Sequence, residues 1–181
     1  MNQNHAAFND HLPRGVWNNL RVFHDAQHHK DWLKYGDIVS PKLWLPDFPN
    51  GITDEGIHYV EETSFRGGTA ITTWYALLID NSGYTGVDPT DTMASHSGWS
   101  EATAYDESVR QTLSFGAAAS RAITASVSFT MNATKTIQGI GVTSNSTKSG
   151  TTGTLFSTAL FSSPPGLESG NVLTANYTLS D

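Results

Sequence analysis

Residues 121–131 alternate without a break, and this rhythm constrains the chain more than any other feature. Ile123, Ala125, Val127, Phe129 and Met131 share one parity; Ala122, Thr124, Ser126, Ser128 and Thr130 share the other. Successive side chains of a strand point to opposite faces, so the segment has one face for a core and one for water or a partner. Wound as a helix, the same residues would place hydroxyls around the whole circumference, the buried side included. The outward parity carries Ser and Thr rather than Lys and Glu. Such a face suits a rigid scaffold among protein neighbours and offers little to catalysis.

Other segments after Ala70 read the same way. Residues 73–80 hold Trp74, Tyr75, Leu77, Leu78 and Ile79, apolar on both parities, as a central strand covered on both faces requires. Asn81-Ser82-Gly83 turns it. Residues 111–115 form a short strand. Residues 121–131 are expected to pair with 136–142 through a turn at 132–135. Residues 155–161 are apolar on both parities, and 172–179 alternate with Leu173, Ala175, Tyr177 and Leu179 inward. The predicted fold class is mainly β: an antiparallel β-sandwich, immunoglobulin-like or jelly-roll.

One short helix is predicted over residues 53–65. Thr53 supplies a cap, Asp54 and Glu55 occupy the first turn, and Gly67-Gly68 ends it. Gly56 within it costs about 1 kcal/mol relative to Ala. Residues 1–50 read as an extended N-terminal arm and 51–181 as the β-sandwich domain. Within the arm, 16–24 is strand-like, 25–30 a polar turn, and Pro41, Pro46 and Pro49 hold an extended, irregular stretch around Leu43, Trp44, Leu45 and Phe48.

Composition narrows the functional classes. The chain has no cysteine, which excludes disulfides, thiolate zinc sites and thiol nucleophiles. A formal charge of −7 and the lack of any Lys/Arg block argue against a nucleic-acid partner. No apolar run approaches the ~20 residues of a membrane span. The first residues show no secretory pattern, so synthesis in a cytoplasm is expected. His24, His28 and His29 cluster near Asp25, but without metal-site spacing. Asp80, Asp88 and Asp91 surround a loop that matches no calcium pattern, and such residues are ordinary in turns. No nucleophile elbow and no phosphate loop occur. The expectation is therefore no enzyme, no catalytic residues, no metal and no cofactor. Trp99, between Ser97-Gly98 and Ser100, is the candidate for an exposed, ligand-facing loop; Trp74 reads as core.

From Gly67 onward the chain resembles a family of small virion proteins of tailed bacteriophages. The shared elements appear here as Gly67-Gly68-Thr69, Thr73-Trp74-Tyr75-Ala76-Leu77-Leu78, Ser95-His96-Ser97-Gly98-Trp99 and Tyr105-Asp106-Glu107. The Ser/Thr/Gly-rich loop and strand over 144–156 and the closing strand over 172–179 are similar too, so the likeness spans residues 55–181. It implies a structural, non-catalytic protein with a sandwich fold and supplies no active-site residues. The expected function is a capsid decoration (cement) protein on the outside of the head. Its partner would be the major capsid protein, and its own state a homo-oligomer, with a trimer as the guess. Trp17, Trp32, Trp44 and Phe48 are the expected interface anchors of the arm. The alternatives are a tail, neck or fibre component, or a carbohydrate-binding module for host attachment.

Overall fold

A computed structural model describes residues 14–35, 41–45, 48–49 and 51–180. In chain order the elements are β1 (Arg14–Phe23), α1 (Ala26–Tyr35), β2 (Leu43–Leu45), β3 (Phe48–Pro49), β4 (Gly51–Ile52), α2 (Asp54–Phe65), β5 (Trp74–Asp80), β6 (Glu101–Ala102), β7 (Gln111–Leu113), β8 (Ala122–Thr130), β9 (Lys135–Thr143), β10 (Leu155–Leu160), β11 (Gly166–Leu167) and β12 (Val172–Ser180). Two antiparallel sheets result. One runs β2-β1-β12-β8, with β3 also on β1; the other runs β4-β10-β9-β5-β6, with β7 on β5 and β11 on β9. The protein is an antiparallel β-sandwich, as the period of two predicts.

The alternating residues meet between the sheets. Ala125, Val127, Phe129 and Met131 from β8 and its end pack with Leu173, Ala175 and Tyr177 of β12 against Ala76 and Leu78 of β5, Ile140 and Val142 of β9, and Phe156 of β10. On β5 the opposite parity is buried as well. Leu77 and Ile79 lie beneath Met93 and Trp99, with Tyr84 and Val87 packed alongside. The loop between β5 and β6 therefore forms a third layer, which is why β5 carries no polar face.

Three expectations need correction. First, β8 does not pair with β9. It pairs with β12 from Val172↔Thr130 to Ser180↔Ala122, while β9 pairs with β5 and β10. The link between them crosses from one sheet to the other, and its donors are taken elsewhere: the Met131 amide donates to Asn171 O at 2.8 Å and the Asn132 amide to Ala104 O at 3.1 Å. A period of two says which side chains point inward, not which strand lies alongside.

Second, residues 14–23 are no arm. β1 lies between β12 and the β2/β3 edge, with Trp17 opposite Tyr177 and Phe23 opposite Val172. An irregularity between Asn18 and Arg21 resets its register, so Trp17, Leu20 and Val22 face the sandwich core while Phe23 lies buried against α1. The boundary between arm and domain expected at residue 50 does not follow the sheet. Residues 1–13 lie outside the described residues.

Third, the polar turn at 25–30 is the first half of helix α1. The Asp25 carboxylate accepts the His28 amide at 2.7 Å, an N-cap, and Gln27 donates to Asp31 one turn on at 2.8 Å. Packing completes the helix, since the Phe23 ring meets those of His28, His29 and Trp32.

Helix α2 forms as predicted. Thr53 accepts the Gly56 amide at 3.1 Å, and its own hydroxyl donates to Leu155 O of β10. Glu55 accepts the Leu155 amide at 2.7 Å, so the helix is tied to the sheet by its first turn. Gly56 then has a role that propensity misses: a Cβ there would meet Phe156 O at 2.3 Å. Helix propensity alone makes Gly56→Ala stabilising by about 1 kcal/mol. The close approach reverses the sign, and a loss of about 1–3 kcal/mol is expected. The midpoint of urea unfolding measures it.

Candidate functional site

The residues singled out by sequence fall in different places. Trp17 is 0% exposed, its ring 4.9 Å from that of Tyr177. It is a core residue and is not available as a surface anchor, because the β1 irregularity leaves it pointing between the sheets. Trp32 is half-buried on α1, with the Arg21 guanidinium 4.5 Å from its ring centre. The backbones of Trp44 and Phe48 form edge pairs with Arg21 and Trp17; their side chains lie outside the described residues.

Trp99 is 5% exposed, buried rather than presented at the surface. Its indole donates to Asp91 Oδ2 at 2.9 Å, and the His96 ring stacks on it at 3.9 Å. His96 Nδ1 lies 3.0 Å from Trp99 O. Asp91 also accepts the Asp88 amide, and Asp88 accepts the Thr90 amide. Gly98 lets the two arms of this loop touch, since a Cβ there would meet Gly86 O at 2.3 Å. The Ser-His-x-Gly-Trp element is thus the lock that pins the loop over Leu77 and Ile79. A polar neighbourhood in sequence suggested exposure; the hydrogen-bond partner eight residues away, Asp91, allows burial.

A second lock holds the opposite loops. Arg110 Nε and Nη2 donate to the two oxygens of Glu101 at 3.0 and 2.8 Å, and the two side chains are 0% and 4% exposed. Arg110 also donates to Asn145 O at 2.9 Å and Gly150 O at 3.0 Å, while Glu101 accepts the Ser149 amide at 2.7 Å. One bidentate pair therefore organises the Ser/Thr/Gly loop after β9. Glu107 accepts the Thr130 amide at 3.2 Å, and Lys148 sits 3.6 Å from the Tyr105 ring centre and donates to Tyr105 O at 2.7 Å. Sequence reading missed Arg110 and Glu101; nine-residue spacing carries no signal for a pair.

Tyr105 lies in this lock with its hydroxyl buried and unpartnered. Burial, and then the Glu101 carboxylate, push its phenol above the ordinary value. The unfolded chain releases this proton near pH ~10, the folded chain only at higher pH. The folded form therefore holds its full contribution below pH ~10 and loses up to about 1.4 kcal/mol per pH unit above it. Tyr105→Phe is expected to match or exceed the native chain at pH 8 and to outlast it at pH 11, as guanidinium midpoints at the two pH values would show.

No group of three or more His, Asp or Glu converges as a metal site among the described residues. His24 and His28 stack at 5.5 Å, and Asp80 pairs with Lys135. Among the described residues, several surfaces could take a partner. The β2/β3 edge borders β1. An apolar cleft of about 200 Å³ opens between the sheets beside Val60, Trp74 and Leu179. A groove of about 460 Å³ lies between α1 and the outer face of the β1-β12-β8 sheet. No helix among the described residues is long and apolar enough to cross a membrane. No protein-family model matches the chain, and no curated protein or solved structure matches it either.

Proposed function

We propose that this chain is a structural protein of a tailed-phage virion, a decoration protein standing on the outside of the major capsid shell. The observation that carries the reading is how the polar and aromatic residues of the resembling motifs are used. Trp99 and His96 lock one loop, Glu107 caps a strand amide, and the Ser/Thr/Gly loop closes around Arg110 and Glu101. Side chains that an enzyme would keep for substrate are here spent on a rigid frame, which is what a subunit held by its neighbours needs.

The contact surface in this reading is the β2/β3 edge, carrying Trp44 and Phe48, together with Trp32 on α1. Edge strands present unpaired backbone groups that a partner strand can complete. Association with the major capsid protein and with further copies of this chain, as a trimer, belongs to the same proposal. Immunogold labelling of the encoding phage tests it. Label over the head supports decoration; label on the tail or neck moves the protein to that position; unlabelled virions overturn a virion role.

A further inference from the structure

The groove beside α1 uses a feature that the scaffold reading leaves idle: the hydroxyl-rich parity of the outer sheet face. Its floor is Ser126 and Ser128 of β8 with Thr174 and Asn176 of β12. These residues are cross-strand neighbours, Asn176 opposite Ser126 and Thr174 opposite Ser128, so the polar groups form rows about 4.8 Å apart. Ser126 donates to the Asn176 side-chain oxygen at 2.8 Å, which orients that amide. One wall is α1, through His29 and Trp32, with Arg21 stacked on the indole. Its volume lies within the range of about 300–1,000 Å³ common for ligand sites.

We propose that this groove binds an oligosaccharide chain. Hydroxyls and a primary amide both donate and accept, as the hydroxyls of a sugar do, and these exposed to half-buried groups are costly to cover with apolar side chains. Among the lining residues there is one guanidinium and no carboxylate, although the chain carries a formal charge of −7. That balance admits neutral glycans and those bearing carboxylates, and disfavours cationic ligands. Trp32 and His29 supply apolar ring surface beside the polar floor, the mixture that saccharide rings present in return. The glycan site expected around Trp99 is thus placed instead on the opposite sheet.

Affinity electrophoresis of the full chain through gels cast with dextran or with polygalacturonate, together with an array of bacterial surface glycans, tests the groove. The expected result is retardation or array signal with at least one glycan. It should weaken at least tenfold in the Ser128→Val/Thr174→Val double variant and in Trp32→Ala. Valine suits strands, so the double variant keeps the sheet, and thermal melting checks that it does. Asn176→Gln serves as a further variant that retains an amide but displaces it. Retardation by polygalacturonate alone assigns a carboxylated glycan, and by dextran alone a neutral one. No interaction on either gel or the array overturns the proposal, as does retention unchanged in folded variants. Loss of capsid association in these variants without any glycan interaction also overturns it and makes the groove a protein interface. The proposal does not depend on the virion position, which immunogold tests separately.

Discussion

Deleting residues 1–50 is expected to abolish cooperative folding, whereas deleting residues 1–13 leaves a folded sandwich. The longer deletion removes β1, which pairs along β12 from Arg14↔Ser180 to Phe23↔Val172. Trp17, Leu20, Val22 and Phe23 are each at most 2% exposed. Burying one such side chain contributes about 1.5–3 kcal/mol, so four amount to roughly 6–12 kcal/mol, comparable with the ~5–15 kcal/mol by which whole domains are stable. The deletion also strips β12 of one of its two partners and leaves a long open edge, which favours aggregation. Circular dichroism during heating separates the outcomes: a single sharp transition for the short deletion, none for the long one. A sharp transition after removal of residues 1–50 would show that β1 is dispensable and restore the independent arm.

The second large effect is expected at Glu101. Glu101→Ala leaves the fully buried Arg110 guanidinium without its counter-charge and the Ser149 amide without its acceptor. Breaking a buried pair from one side costs about 3–5 kcal/mol, which for a chain of this size lowers Tm by roughly 6–20 °C. Glu101→Gln should cost less, because it retains an acceptor. The double variant Glu101→Leu/Arg110→Met tests what distinguishes this pair from an isolated one. Apolar replacement of a buried pair is often neutral. Here it also orphans Asn145 O and Gly150 O, so recovery should remain well short of native stability. Hydrogen exchange should locate the damage in residues 144–153. Native-like stability in Glu101→Ala would remove the pair from the frame.

Local signals proved legible where local physics decides. The cap at Thr53, the acidic first turn and the terminating glycines marked α2 correctly, since each acts within one helical turn. The inward parity of β8 and β12 was equally plain, because a strand's pleat needs no knowledge of its neighbours. α1 was missed because its helical signal is weak in isolation. Asp25 at the cap and the Gln27–Asp31 pair contribute tenths of a kcal/mol to about one, while the ring of Phe23 beneath supplies the reason to fold there.

The candidate sites were less legible than the fold. Trp17 is expected as an anchor of the arm and Trp99 as an exposed loop residue among Ser and Gly; both are buried. What buried them was non-local: the register reset in β1 for one and the Asp91 acceptor for the other. Gly56 shows the same limit in reverse, a residue that local propensity marks as a weakness and that tertiary packing against β10 requires.

By itself the sequence determined that this chain is a β-sandwich with one hydroxyl-rich outward parity, because side-chain alternation is a property of a single strand. Only the tertiary structure decided which strands lie side by side, that β8 and β9 belong to different sheets, and that α1 flanks the hydroxyl face to make a groove. Strand order is settled by competition among many inward faces of similar shape and by loop locks such as Arg110–Glu101. Those energies arise between residues far apart in the chain.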